Sequence, residues 1–188
     1  MSLAWYQKPL RIGALQCSNE PDGNMAVIDK FIGMGFNVEQ LNHLMGDLVR
    51  AGGLGEAKPA ALFREYLDKA HRHGVRIIVY INVHTLQPPV LDRKDWAQRD
   101  AAGEVQMNYG THFSCCVNSG WREHFFDQLD ALTRFDIDGV FLDGPCIMGR
   151  GCYCEACRAL FRGRTGRELA DASADELFDF NAASLDRF

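Results

Sequence analysis

Cys152, Cys154 and Cys157 have the spacing C-x-C-x2-C, close enough for one turn of chain to aim three sulfurs at a single ion. A tetrahedral site needs a fourth ligand. Cys146 supplies it locally, or Cys115 or Cys116 reaches in from upstream. Four thiolates close the coordination sphere and leave no position for water, which makes such a site structural rather than catalytic. The remaining cysteine is Cys17, and the odd total of seven excludes complete internal disulfide pairing. With no recognisable signal peptide, a cytoplasmic chain with reduced thiols is expected, and clustered reduced thiols favour Zn2+ over a disulfide framework.

The second chemical feature lies just upstream of that cluster. Gly139, Val140, Phe141 and Leu142 form an apolar run between Asp138 and the turn signal Asp143, Gly144, Pro145. Such a run predicts a strand covered on both faces, with Phe141 and Asp143 on one face and Val140 and Leu142 on the other. In a parallel barrel the C-terminal ends of the strands open onto the chemical face. That places Asp143 at the active end and Asp138 at the end that serves stability. Asp also starts an Asp-Gly-Pro turn well without any catalytic role.

Apolar periodicity supplies the elements that must position these groups. Arg11 to Cys17 predicts a first strand, followed by a helix carrying Val27, Ile28, Phe31 and Ile32 and a second strand near Asn37 to Leu41. Leu62, Phe63, Tyr66, Leu67 and Ala70 form the stripe of a second helix stopped at Gly74, and Val75 to Asn82 reads as a third strand. A long loop is expected to about Ser119. Trp121, Phe125, Leu129 and Leu132 then recur at helical spacing, which assigns Trp121 to core packing rather than to stacking on a sugar. Ser173 and Glu176 have capping-box spacing for a last helix running to Phe188.

This βαβαβαβ order predicts a parallel sheet with right-handed crossovers. The fold class is α/β of the (β/α)8 TIM-barrel type with about four β/α units present, because a complete barrel needs about 250 residues and the chain has 188. One domain is expected over residues 1–188, with a cysteine-rich clip inserted at 146–166. The net charge of -5 with no block of Lys and Arg argues against nucleic acid or an anionic membrane as partner. Polar side chains at strand ends are candidates for sugar hydroxyls: Asn82 and His84 after the third strand, Asn42 and His43 after the second, and Gln16 at the end of the first. Each also suits ordinary loop hydrogen bonding. His71 and His73 fall in the last turn of a helix, where the dipole favours partial positive charge.

Several of these stretches carry a family resemblance. Cys116-Val117-Asn118-Ser119, with Cys152-Tyr153-Cys154-Glu155-Ala156-Cys157-Arg158 followed by Phe161-Arg162, resembles the zinc-cysteine pattern of glycoside hydrolase family 42 β-galactosidases. That likeness implies Cys116 as fourth ligand, ahead of Cys146 and Cys115, and a homo-oligomer formed through parts outside this chain. His71-Arg72-His73-Gly74-Val75, Asp95-Trp96 through Gly103, and Asp138 through Pro145 resemble the family called hypothetical glycosyl hydrolase 6. The resemblance implies a glycoside hydrolase acting on a carbohydrate.

Family 42 carries an Asn-Glu pair after strand four, whereas this chain has Leu142-Asp143, similar to the strand-four aspartate nucleophile of family 29 α-L-fucosidases. On that likeness Asp143 attacks the anomeric carbon and a second carboxylate, about 5 Å away in a retaining enzyme, acts as acid/base. The alternative is a non-catalytic carbohydrate-binding or pseudoenzyme barrel domain that keeps the zinc clip. A zinc hydrolase is disfavoured by the closed thiolate set and by the lack of an H-E-x-x-H helix.

Overall fold

Strands and helices alternate through the front of the chain as their periodicities predict, in a computed structural model that describes residues 4–14, 21–41, 57–86, 93–149 and 151–188. The elements in order are β1 (Ile12–Gly13), α1 (Pro21–Gly33), β2 (Val38–Leu41), α2 (Ala57–Arg72), β3 (Arg76–Asn82), β4 (Thr85–Leu86), β5 (Met107–Asn108), β6 (His112–Ser114), α3 (Trp121–Leu132), β7 (Gly139–Asp143), α4 (Glu155–Thr165) and α5 (Ala174–Leu185). The chain divides into two compact units, Met1–Ile81 with Gln128–Leu142, and Asn82–Asp127 with Asp143–Phe188.

The first unit holds a four-stranded sheet in the order β1-β2-β3-β7. β1 pairs parallel with β2, and β2 with β3 in the register Glu39↔Ile77. At the start of β7, Asp138 N–H donates to Ile77 O at 2.9 Å. The stripe of α2 is buried as its spacing requires, with Phe63, Tyr66, Leu67 and Ala70 inside, and it shares the core with Val27, Ile28 and Phe31 of α1 and with Ile77, Val79 and Ile81 of β3. Glu39 is the one charged residue fully buried among the described residues, and its Oε2 accepts the Tyr66 hydroxyl at 2.6 Å. Asp138 ties the N-terminal end of the sheet together. Its carboxylate accepts from His71 Nε2 at 2.8 Å, Arg76 Nη1 at 2.9 Å and the Ile77 amide at 2.9 Å, so His71 has a structural role beyond the helix dipole.

β7 departs from its sequence reading. Val140, Phe141 and Leu142 are 38, 47 and 43% exposed, so the strand is not covered on both faces. The reason is position: β7 ends the strand order among the described residues, and apolar residues on an edge strand lack neighbours on one side. Phe141 instead stacks on Tyr80, with centroids 5.8 Å apart and planes at 14°.

The second unit corrects the expected long loop. Between β3 and α3 the chain forms a small antiparallel sheet in the order β4-β6-β5, extended by bridges Ala97↔Cys115 and Arg99↔Val105. Strands of two or three residues carry too little alternation to be read from sequence. The cysteine-rich clip expected at 146–166 has regular structure of its own. It includes α4, and Phe161, Leu169, Leu177 and Phe180 bury around the cysteines. No helix among the described residues is long and apolar enough to cross a membrane.

The capping box on α5 is formed. Ser173 Oγ accepts from Glu176 N at 3.2 Å, and Glu176 Oε2 accepts from Ser173 N at 2.8 Å. Arg167 pairs with Glu176 at 2.6 Å and, with the Ser173 amide, lowers its carboxyl from the ordinary 4.5 to about 2. A folded value below the unfolded one means that this contribution is present above the unfolded pKa and is lost as pH falls through the folded one. Thermal melts are expected to show Glu176→Gln less stable than the parent at neutral pH, with the difference closing between pH 4.5 and about 2. Ser173→Ala is expected to cost about 1 kcal/mol.

Candidate active site and metal centre

Asp143 is the last residue of β7, and its main chain is fixed before its side chain is considered. Its carbonyl oxygen accepts from Val83 N at 2.9 Å and lies 3.0 Å from His84 Nδ1. A carbonyl only accepts, so His84 Nδ1 carries the proton in this contact. Gly144 makes this contact possible. It has φ +97°, and a Cβ there would sit 2.7 Å from His84 Nδ1 and 3.1 Å from His84 Cβ. Alternation along β7 puts the half-buried Asp143 on the same face of that strand as Phe141.

The chain after Asp143 is held by a residue the sequence gave no reason to single out. Gln98 is fully buried, and its Nε2 donates to Cys115 O and to Cys146 O, both at 2.8 Å, while its Oε1 accepts from Met148 N at 2.8 Å. One amide thus satisfies three backbone groups and fastens the turn that follows the carboxylate. Burial first, and the nearby charge of Asp143 second, push the Cys146 thiol up.

The other strand-end candidates have different positions. Asn82 Oδ1 accepts from His84 N at 3.1 Å and Thr85 N at 2.9 Å, an Asx turn that shapes the bend after β3. Only its Nδ2 remains to meet a ligand. His84 is buried against Asp143 as described. Gln16, Cys17, Asn42 and His43 lie outside the described residues. Trp121 is buried and donates from Nε1 to Val83 O at 2.8 Å, so it packs in the core and buttresses the segment that carries His84. Trp96 is also buried, its ring 5.9 Å from that of Trp121 and capped by Arg93 at 4.0 Å.

Cys116, Cys152, Cys154 and Cys157 converge. All four are buried, and their sulfurs lie within 4.8 Å of one another, with Cys116 to Cys157 at 3.4 Å and Cys116 to Cys154 at 3.5 Å. Tetrahedral ligands with metal–sulfur bonds of about 2.3 Å stand about 3.8 Å apart, so this spacing fits an ion at the centre. Cys115 and Cys146 stand outside the group among the described residues; burial pushes the Cys115 thiol up.

The surroundings of the four sulfurs favour negative charge. Asn118 N–H donates to Cys116 Sγ at 3.4 Å and Asn118 Nδ2 to Cys157 Sγ at 3.3 Å. Cys154 is the N-cap of α4 and Cys157 lies in its first turn, where the positive end of the helix stabilises thiolates. Contacts with Cys116 first push Cys154 down, and contacts with Cys152 first push Cys116 up. Four sulfurs that share protons in this way can hold a metal ion that replaces those protons.

Comparison with known proteins bears on the fold. No curated protein sequence matches the chain. Among solved structures, the chain is similar to alpha-L-fucosidase isoenzyme 2 from Paenibacillus thiaminolyticus, with TM-score 0.59 and 16% identity, covering 94% of this chain and 28% of that one. It is similar to a beta-galactosidase from the Antarctic haloarchaeon Halorubrum lacusprofundi, with TM-score 0.54 and 17% identity over 84% of this chain and 25% of that one. It is also similar to an alpha-galactosidase from Thermus thermophilus, with TM-score 0.52 and 19% identity over 72% of this chain and 30% of that one. The chain therefore spans between a quarter and a third of the length of these glycosidases, and at such identities the likeness establishes a shared α/β fold with a parallel sheet. The cysteine trio lies beyond the segment that the family comparison matches, and within that segment the resemblance read from the sequence holds: residues 55–144 match hypothetical glycosyl hydrolase 6.

Proposed function

We propose that the chain is part of a glycoside hydrolase that cleaves an O-glycosidic bond with retention, with Asp143 as nucleophile. The observation that carries this reading is the position of Asp143 at the C-terminal end of the last strand of a parallel sheet, its carbonyl fixed by Val83 and His84. A nucleophile needs a fixed backbone because small displacements from attack geometry are costly. The family match and the glycosidase neighbours support the substrate class. The four β/α units fit the front part of a barrel, and the open apolar edge at Val140, Phe141 and Leu142 suits a further strand. The acid/base carboxylate is assigned to residues that such a strand and its successors bring near Asp143.

Asp143→Asn is expected to lower kcat on aryl glycosides by at least a thousandfold in the full-length protein, with azide restoring turnover through a glycosyl azide product. Unchanged hydrolysis of every active substrate removes Asp143 from the mechanism. Carbohydrate binding without hydrolysis in the parent protein would instead favour the pseudoenzyme reading. Gly144→Ala tests the positioning of Asp143, since the new Cβ must displace His84; a loss of about 1–3 kcal/mol of stability is expected in denaturant melts.

The four-cysteine cluster is proposed to hold one structural Zn2+. Its closed sulfur set, apolar surroundings and Asn118 donors support this assignment. Metal analysis of chelator-free protein is expected to give one zinc per chain, with Cys154→Ser reducing both zinc content and Tm. A substoichiometric zinc content in the parent, or full occupancy in Cys154→Ser, would count against it.

A further inference from the structure

Helix α4 carries a second pattern besides the Cys157 and Phe161 face that it buries. Glu155, Arg158, Ala159 and Arg162 recur at i, i+3, i+4 and i+7, so they share one side of the helix. That side walls a cavity of about 510 Å³, and among the described residues Arg99, Gly103 and Tyr153 line the remainder. Three guanidiniums therefore line one cavity. The chain as a whole has a net charge of -5, so this concentration of positive charge is local.

The three arginines are not equally committed. Arg162 Nη2 pairs with Glu168 at 2.7 Å. The hydrogen bond from Arg162 first, and the charge of Arg158 further off, hold the Glu168 carboxyl below its ordinary range. Arg99 and Arg158 donate instead to neutral backbone carbonyls, Arg99 Nη1 to Gly103 O at 2.9 Å and Arg158 Nε to Tyr153 O at 2.7 Å. Neither forms an ion pair among the described residues. A guanidinium carries several N–H donors in a fixed fork, and a carbonyl takes one of them without answering the charge. Glu155 is the one carboxylate among the described lining residues, and in the first turn of α4 it offsets the helix dipole.

These donors are fixed before any ligand arrives. Tyr153 N donates to Arg99 O at 2.8 Å while Tyr153 O accepts from Arg158, so the backbone of one residue joins the two arginines. Cys152 and Cys154, on either side of Tyr153, belong to the four-sulfur group. The turn that Arg99 grips closes on itself, with Gly103 N donating to Asp100 O at 3.1 Å. Arg99 is half-buried, whereas Arg158 and Arg162 are exposed and open to a solute. Gathering like charges costs Coulomb energy, and α4 packs through its other face.

We propose that this cavity is a phosphate-binding site, in which Arg99 and Arg158 hold the phosphate oxygens and Arg162 adds charge from behind its ion pair with Glu168. The chemistry selects phosphate over carboxylate. One guanidinium fork saturates the two oxygens of a carboxylate, whereas two forks from different elements suit the three oxygens and greater charge of a phosphate group. The volume lies in the range of small-molecule sites, about 300–1,000 Å³, which leaves room for a molecule that carries the phosphate. The inference depends neither on Asp143 nor on the glycosidase reading.

The test is isothermal titration calorimetry on the full-length protein at low ionic strength, with inorganic phosphate, glucose 6-phosphate, glucuronate and glucose as probes. Both phosphate probes are expected to bind, and glucose is not. Tighter binding of glucose 6-phosphate identifies a phosphate monoester as the source, and equal affinity identifies the free ion. Arg99→Gln and Arg158→Gln are each expected to weaken phosphate binding about tenfold or more, and Arg158→Lys nearly as much, because the charge returns without the fork. Glu155→Gln is expected to tighten it severalfold, since the lining loses its carboxylate. A gain of affinity does not arise from damaged folding.

No binding of either phosphate probe, glucuronate binding as tightly as glucose 6-phosphate, or affinity unchanged in both arginine-to-glutamine variants would each overturn the proposal. Unchanged or weaker binding in Glu155→Gln would do the same. None of these outcomes bears on Asp143, whose test reads hydrolysis.

Discussion

Burying four sulfurs within 4.8 Å of one another is the constraint on which the second unit depends. Thiol hydrogen bonds are weak, and ionising several thiols side by side in an apolar pocket is costly, so a shared counter-charge would stabilise the arrangement. Half of the eight buried residues in the local core are these cysteines; Phe161, Leu169, Leu177 and Phe180 supply the rest. So little apolar area holds two helices poorly without a staple. The cluster also spans sequence distance, because Cys116 precedes α3 while the other three follow β7. Asn118 extends the tie by donating from Nδ2 to Ser184 Oγ at 3.0 Å on α5 as well as to the Cys157 sulfur.

What was legible in the sequence was whatever repeats locally. The α2 stripe and the alternating burial of β3 follow from periods of 3.6 and 2, and Ser173 with Glu176 marks a helix start by spacing alone. The small antiparallel sheet was not legible, because its strands are too short to alternate and its hydrogen bonds join residues far apart, such as Thr85 with Ser114. Helix α4 was hidden for a different reason. Its buried positions are Cys157 and Phe161, and a cysteine in a C-x-C-x2-C run is read as a ligand before it is read as part of a helix face. Cys157 is buried on the α4 face and also stands in the four-sulfur group.

The candidate site divides along the same line. Asp143 and the cysteine trio announce themselves by type and spacing, whereas the choice of Cys116 over Cys115 depends on which way two adjacent side chains point, and only a resemblance or coordinates can supply that. Gln98 and Gly144 gave no signal of their own. A glutamine that satisfies three buried backbone groups looks the same in sequence as one on a surface. Gly144 showed only as part of a turn; the space it leaves for His84 is a tertiary fact.

These separate ties meet at the carboxylate. The main chain of Asp143 is held on the β3 side by Val83 and His84, and Val83 is itself braced by the Trp121 indole on its carbonyl. Beyond Asp143, Gln98 grips Cys146 O and Met148 N, and within a few more residues the chain enters the sulfur cluster at Cys152. A strand end followed by a free loop would let a side chain at its rim sample many orientations, and ordering it at the moment of reaction would cost conformational entropy. Fixing the backbone on both sides of Asp143 meets that cost during folding. On the proposed assignments, a metal bound at the four cysteines would anchor the excursion and so limit the freedom of Asp143 without touching substrate.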